Sequence, residues 1–174
     1  MHRFIITLFI LSTCIRQQLF SQELKSEFIF DMELELSAPQ MVGKVLPGTR
    51  VIYPATGGTV KGKINGKVLP GGADWGIVAD SLTFKMDVRA TVQTDDGALI
   101  YITYQGYLFA DAKTNAVIGA GKGHTLSPED YYFRSNPVFE TSSPKYAWLN
   151  HTVAIGVGRL SGVGKVAYRI YAIR

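Results

Sequence analysis

The chain has 174 residues, 47% hydrophobic and 18% charged, with a formal net charge of +4. That is the length of one domain, apolar enough to bury a core, which excludes an intrinsically disordered chain. The charge is mild and no Lys/Arg cluster interleaves with aromatic residues, which excludes a nucleic-acid track.

Met1-His2-Arg3 makes a short basic start, Phe4 to Thr13 is a continuous apolar run, and Ser21 is small enough to precede a cut. This pattern predicts a signal peptide over residues 1–21 and one domain over 22–174, periplasmic or secreted after cleavage, with no membrane span remaining. The alternatives are a buried first strand, an uncleaved anchor, or lipidation at Cys14, where Thr13 makes a poor lipoprotein signal. Cleavage removes Arg3 and Arg16 and no acid, leaving a charge of +2. Cys14 is the only cysteine, so the processed chain has no disulfide and no thiolate nucleophile.

Phe28, Phe30, Met32, Leu34 and Leu36 alternate with Ile29, Asp31, Glu33 and Glu35, the period of a strand with one solvated acidic face. From Val42 to Gly72 glycine and proline recur every few residues, and the segments between them (Arg50 to Tyr53, Thr59 to Ile64, Lys67 to Leu69) read as short strands. Leu82 to Val92 alternates strictly, and Asp96-Gly97 predicts a type I′ hairpin turn into a second long strand. A two-residue loop there pairs Arg89 with Tyr104, Thr91 with Ile102 and Asp87 with Gly106. Asp111 to Ser127 reads as a loop or strand pair. Tyr131 to Thr141, Tyr146 to Val157 and Lys165 to Ile173 read as strands.

No helical period exceeds about two turns. Closely spaced strands joined by tight turns predict an all-β fold: a single antiparallel β-barrel, lipocalin-like or a similar closed barrel, with minimal helix.

Pro70-Gly71-Gly72-Ala73-Asp74-Trp75, Asp87-Val88-Arg89, Thr94-Asp95-Asp96-Gly97-Ala98, Tyr131-Tyr132-Phe133-Arg134, Pro137-Val138-Phe139-Glu140-Thr141 and Tyr146-Ala147-Trp148-Leu149-Asn150 occur in that order. With these motifs the chain, from about Phe28 to Ile173, resembles the domain of unknown function 3237 family, also known as uncharacterised protein family 0311. The resemblance implies a compact β-barrel of bacterial and fungal proteins with no settled activity.

Arg89 shares a strand face with Asp87. Turned inward, it needs a partner such as Asp87, Asp74 or a ligand carboxylate; turned outward, it is an ordinary solvated charge. Asp74-Trp75 after two glycines reads as a tight turn delivering a carboxylate and a ring to a barrel mouth, or as a self-capped turn with Trp75 plugging the core. Tyr104, Tyr132, Arg134, Glu140, Trp148 and Asn150 supply rings, a cation, an acid and an amide for a pocket. The plainer account is an Arg134–Glu140 ion pair and aromatic packing.

His124 and His151, the histidines left after processing, lack metal-site spacing, and Gly119-Ala120-Gly121-Lys122-Gly123 lacks the phosphate-loop spacing, so neither metal nor cofactor is expected.

Three functions follow from these residues. The first is an exported barrel binding a small aromatic or carboxylated molecule, with Arg89 holding the anion and Tyr104, Trp75 and Trp148 as walls. Tyr132, Arg134 and Asn150 complete that ligand set. The second is a cofactor-free isomerase, cyclase or lyase, with Asp74 or Glu140 as base and Arg89 or Tyr132 steadying an oxyanion. The third is a structural or dimerisation module, a homodimer without a ligand.

Overall fold

The computed structural model describes residues 23–174; the expected signal peptide and Cys14 lie outside them. Nine strands form: β1 (Ser26–Leu36), β2 (Gln40–Val45), β3 (Gly48–Gly62), β4 (Gly66–Val78), β5 (Thr83–Thr94), β6 (Leu99–Phe109), β7 (Tyr132–Glu140), β8 (Ala154–Gly162) and β9 (Lys165–Ile173). Each neighbouring pair is antiparallel, in the order β1-β9-β8-β7-β6-β5-β4-β3, and β3 returns to pair with β1. The fold is therefore a closed eight-stranded barrel. β2 is a ninth strand laid along the first part of β3, where β1 has ended.

Closure depends on irregularities that the alternation alone hides. In β1 a bulge lies between Phe28 and Phe30, so Ile29 and Phe30 are both buried and Phe28 turns outward against Tyr171. The glycine-rich stretch after β2 forms two long strands instead of several short ones. Gly58 sits within β3 at φ +146°, and any Cβ there would collide with the Glu33 carbonyl of β1. Glycine at this position lets the two backbones pass closely enough to seal the barrel.

The β5–β6 turn also departs from expectation. Gly97 has φ +86° and no other residue of the loop has positive φ, whereas a type I′ turn needs two. Gly97 N–H donates to the Thr94 carbonyl and Thr94 N–H to the Ala98 carbonyl, both at 2.9 Å, so the loop has three residues and a glycine bulge. The register shifts by one. Arg89 pairs with Thr103, Asp87 with Gln105, Thr91 with Tyr101, and it is Val88 that faces Tyr104.

Two further segments differ. Ala112–Gly119 is a helix, α1, capped by Asp111, whose side chain accepts from Thr114 N–H at 2.7 Å. Pro144–His151, expected as strand, is a 3-10 helix with Pro144 in its first turn. Its buried residues Tyr146 and Leu149 are three apart, the 3-10 period. Trp148 and Asn150 consequently lie on its outer side, both exposed.

One end of the barrel is packed solid by Ile29, Phe30, Ile64, Ile100, Phe139 and Leu149, with Phe30 and Phe139 edge to face. Among the described residues no helix is long and apolar enough to cross a membrane.

Candidate functional site

The other end is hollow. A cavity of about 790 Å³ opens between the segment after β1 (Ser37 to Pro39), the β4–β5 turn (Asp80 and Ser81), the end of α1 and the β8–β9 turn. At its rim Lys165 is held by Glu35 at 2.7 Å and Glu33 at 3.6 Å.

Strand register builds its wall. Tyr53 of β3 pairs with Asp74 of β4, Asp74 with Val88 of β5, and Val88 with Tyr104 of β6. Directly paired residues share a face, so one belt carries a phenol, a carboxyl, an isopropyl and a second phenol. Tyr168 of β9 packs on Tyr104 with ring centroids 5.1 Å apart and on Phe133 at 5.2 Å. Phe84 stands edge to face with Tyr53 at 6.1 Å. Five rings and the Asp74 carboxyl group thus line the same cavity.

Burial pushes the Asp74 carboxyl up to about 7, and the Asp87 charge pushes the same way. The Asp87 backbone N–H, donating to Asp74 Oδ1 at 3.0 Å, and the Arg50 charge oppose the rise. Near neutral pH, Asp74 is therefore present both with and without its proton. Tyr104 and Tyr168 are only 4% and 3% exposed. Burial, their mutual proximity and the Asp74 charge hold Tyr104 well above the usual phenol range, and burial and Asp74 do the same for Tyr168. Both remain hydrogen-bond donors at any physiological pH.

The sequence-derived candidates divide between the two sides of the wall. Asp74 and Tyr104 line the cavity. Pro70-Gly71-Gly72 is no mouth turn; it is an irregularity within β4, between the Leu69–Thr91 and Ala73–Arg89 pairs. Asp74 therefore lies mid-strand, facing inward, and Trp75 is on the outer wall. Arg89 is there too, its guanidinium carbon 5.1 Å from the Trp75 ring centre and Nη1 3.3 Å from Asp87. An Arg89–Tyr104 pair inside the barrel is thus corrected by the shift in register.

Tyr132 and Arg134 stack on each other on the outside of β7, 5.2 Å apart. Among the described residues no ion pair joins Arg134 to the exposed Glu140. Trp148 lies outside, and Asn150 brackets the Thr141 backbone, accepting from its N–H and donating to its carbonyl, both at 2.9 Å. Tyr53, Phe84, Phe133 and Tyr168 were missed. The alternation Val166, Tyr168, Ile170, Ala172 is the signal that points Tyr168 inward. No group of three His, Cys, Asp or Glu residues able to hold a metal ion occurs among the described residues.

Comparison with known proteins agrees with this architecture. The family described as "Protein of unknown function (DUF3237)" matches residues 24–173. The chain belongs to that family. Relatives named UPF0311 protein share its sequence. One, from Rhodopseudomonas palustris strain TIE-1, is 34% identical over 134 residues, covering 76% of this chain and 86% of the relative. Another, from Clostridium acetobutylicum, is 35% identical over 142 residues, covering 80% and 89%.

Among solved structures, a β-barrel-like protein from Acinetobacter baumannii AYE superposes with a TM-score of 0.78 at 38% identity, covering 90% of this chain and all of that one. A conserved protein of unknown function from R. palustris gives 0.81 at 29% identity, covering 88% and 100%. A protein described as an enzyme, from Penicillium herquei, gives 0.62 at 22% identity, covering 87% and 95%, a likeness of fold alone. The fold of this DUF3237 chain is thus shared by these solved structures.

Proposed function

We propose that this barrel is a cofactor-free acid–base catalyst acting on a small, uncharged, mostly apolar molecule, by isomerisation, cyclisation or elimination. One observation carries the proposal: Asp74, the carboxyl of the Tyr53–Asp74–Val88–Tyr104 belt, lies in an aromatic cavity that holds its pKa at about 7. A base matched to the working pH transfers protons most effectively in both directions. Asp74 takes a proton from the substrate and returns it at a second atom. Tyr104 and Tyr168, kept protonated, donate to the oxygen that gathers charge.

The cavity chemistry favours an aromatic over a carboxylated ligand. Its depth holds rings and a carboxyl, its cationic Lys165 is engaged at the rim, and Arg89 lies outside. A buried anion there would be unpaired. Mass spectrometry of small molecules co-purifying with the chain identifies the occupant. Incubation of that occupant in D₂O should then place deuterium in it at a rate that Asp74→Asn lowers by about 100-fold or more. Exchange unchanged in that variant excludes Asp74 as the base and leaves it a part of the cavity wall.

Export belongs to the same proposal and rests on the basic start and apolar run of residues 1–13. N-terminal sequencing of the processed chain should begin at Gln22; a chain beginning at Met1 overturns it.

A further inference from the structure

Behind Asp74, on the outer wall, Arg50, Ile52, Trp75, Asp87 and Arg89 line a shallow groove of about 510 Å³. Its two guanidiniums face one carboxylate. Arg89 is paired with Asp87 at 3.3 Å, whereas Arg50 has no carboxylate within 4 Å among the described residues and donates to the Trp75 carbonyl. Arg50 is half-buried, and the carboxyl its charge acts on, Asp74, belongs to the other face of the wall. Arg89 lies on the Trp75 indole, which orders its planar fork and reduces the freedom it loses on binding.

We propose that this groove is a second binding site, separate from the cavity, for a small monocarboxylate with an apolar body. The carboxylate sits between Arg50 and Arg89, and the body lies on Ile52 and the indole. The balance of charge selects the class. Two cations against Asp87 leave room for one negative charge, while a phosphate dianion meets Asp87 at close range. Nothing in the catalytic proposal requires this site.

The test uses benzoate as the probe. Trp75 and Trp148 are the only tryptophans, so in a Trp148→Phe background the fluorescence of Trp75 reports the groove. Benzoate should quench or enhance it saturably. Acetate, lacking the body, benzamide, lacking the charge, and inorganic phosphate should each bind about 10-fold more weakly or worse. Arg50→Gln and Arg89→Gln should each weaken benzoate by about 10-fold, with thermal melts confirming that each variant is folded. Tyr168→Phe, inside the barrel, should leave it unchanged. Equal binding of benzamide and benzoate overturns the proposal, as does affinity that survives both arginine substitutions. So does benzoate binding that falls in Tyr168→Phe alone, which places the anion in the cavity.

Discussion

The backbone amide of Asp87 donates to the Asp74 carboxylate at 3.0 Å, so the polar group facing the cavity is held by the peptide of a residue whose own side chain faces outward. That bond favours the ionised form, yet burial outweighs it and the Asp74 pKa stands at about 7 against an ordinary 3.8. The folded state therefore binds this proton more tightly than the unfolded chain. Its contribution to stability is complete below about pH 4 and is lost as pH rises through about 7. Asp74→Asn preserves an acceptor for the Asp87 amide and removes the titration. Relative to wild type, the variant should gain roughly 2–4 kcal/mol between pH 4 and pH 8, measured by urea unfolding across that range. Parallel curves for the two proteins contradict the raised pKa.

Tyr168 offers a way to separate chemistry from packing. Its ring is fixed between Tyr104 and Phe133, and its hydroxyl donates to the Met86 sulfur at 3.7 Å and accepts from the Tyr104 hydroxyl. Its loss takes away a weak bond to sulfur and the acceptor of the Tyr104 hydroxyl, so Tyr168→Phe should unfold within about 1–2 kcal/mol of wild type. If the hydroxyl serves a developing oxyanion, the same change should slow deuterium exchange into the occupant about 10- to 100-fold. A rate that falls only as far as occupancy falls would make Tyr168 a wall and nothing more.

The barrel itself was legible because period-two alternation in β1, β5 and β7 survives wherever one face is solvated. What could not be read was the side of the wall on which each candidate stands. The bulge at Ile29, the irregularity at Pro70 to Gly72 and the glycine bulge at Gly97 each alter register, and a one-residue slip moves a side chain from core to solvent. Arg89 and Tyr104 exchanged their expected relationship for that reason alone. Trp148 and Asn150 failed differently: Pro144 starts a 3-10 segment that buries Tyr146 and Leu149, three apart, on one face, where a strand would set them on opposite faces.

The turn that sets this register is itself testable. Gly97 is at φ +86°, and a Cβ there meets nothing within 4 Å, so any cost of Gly97→Ala is backbone strain. Denaturant unfolding should show a loss of about 1–2 kcal/mol. An unchanged midpoint would mean that the loop adopts another turn. Asp96, in the same loop, accepts from Thr94, Lys145 and Tyr146, which hold its pKa well down. Asp96→Asn should melt at a lower temperature at pH 7, and the difference should shrink as pH falls below about 4.

The hollow and solid halves of the barrel should respond oppositely to added volume. Val88 is buried at the cavity wall beside Tyr104 and Asp74, while Ile102, two residues along β6 from Tyr104, points into the filled half. Ile102→Phe has no space to enter and should cost about 1–3 kcal/mol. Val88→Phe projects into empty volume, so it should cost less than about 1.5 kcal/mol while excluding the occupant. Both are measured by thermal and urea unfolding, with mass spectrometry of co-purifying molecules for the second. A Val88→Phe protein that folds normally and still carries the wild-type occupant would show that the ligand is held elsewhere than in the aromatic cavity.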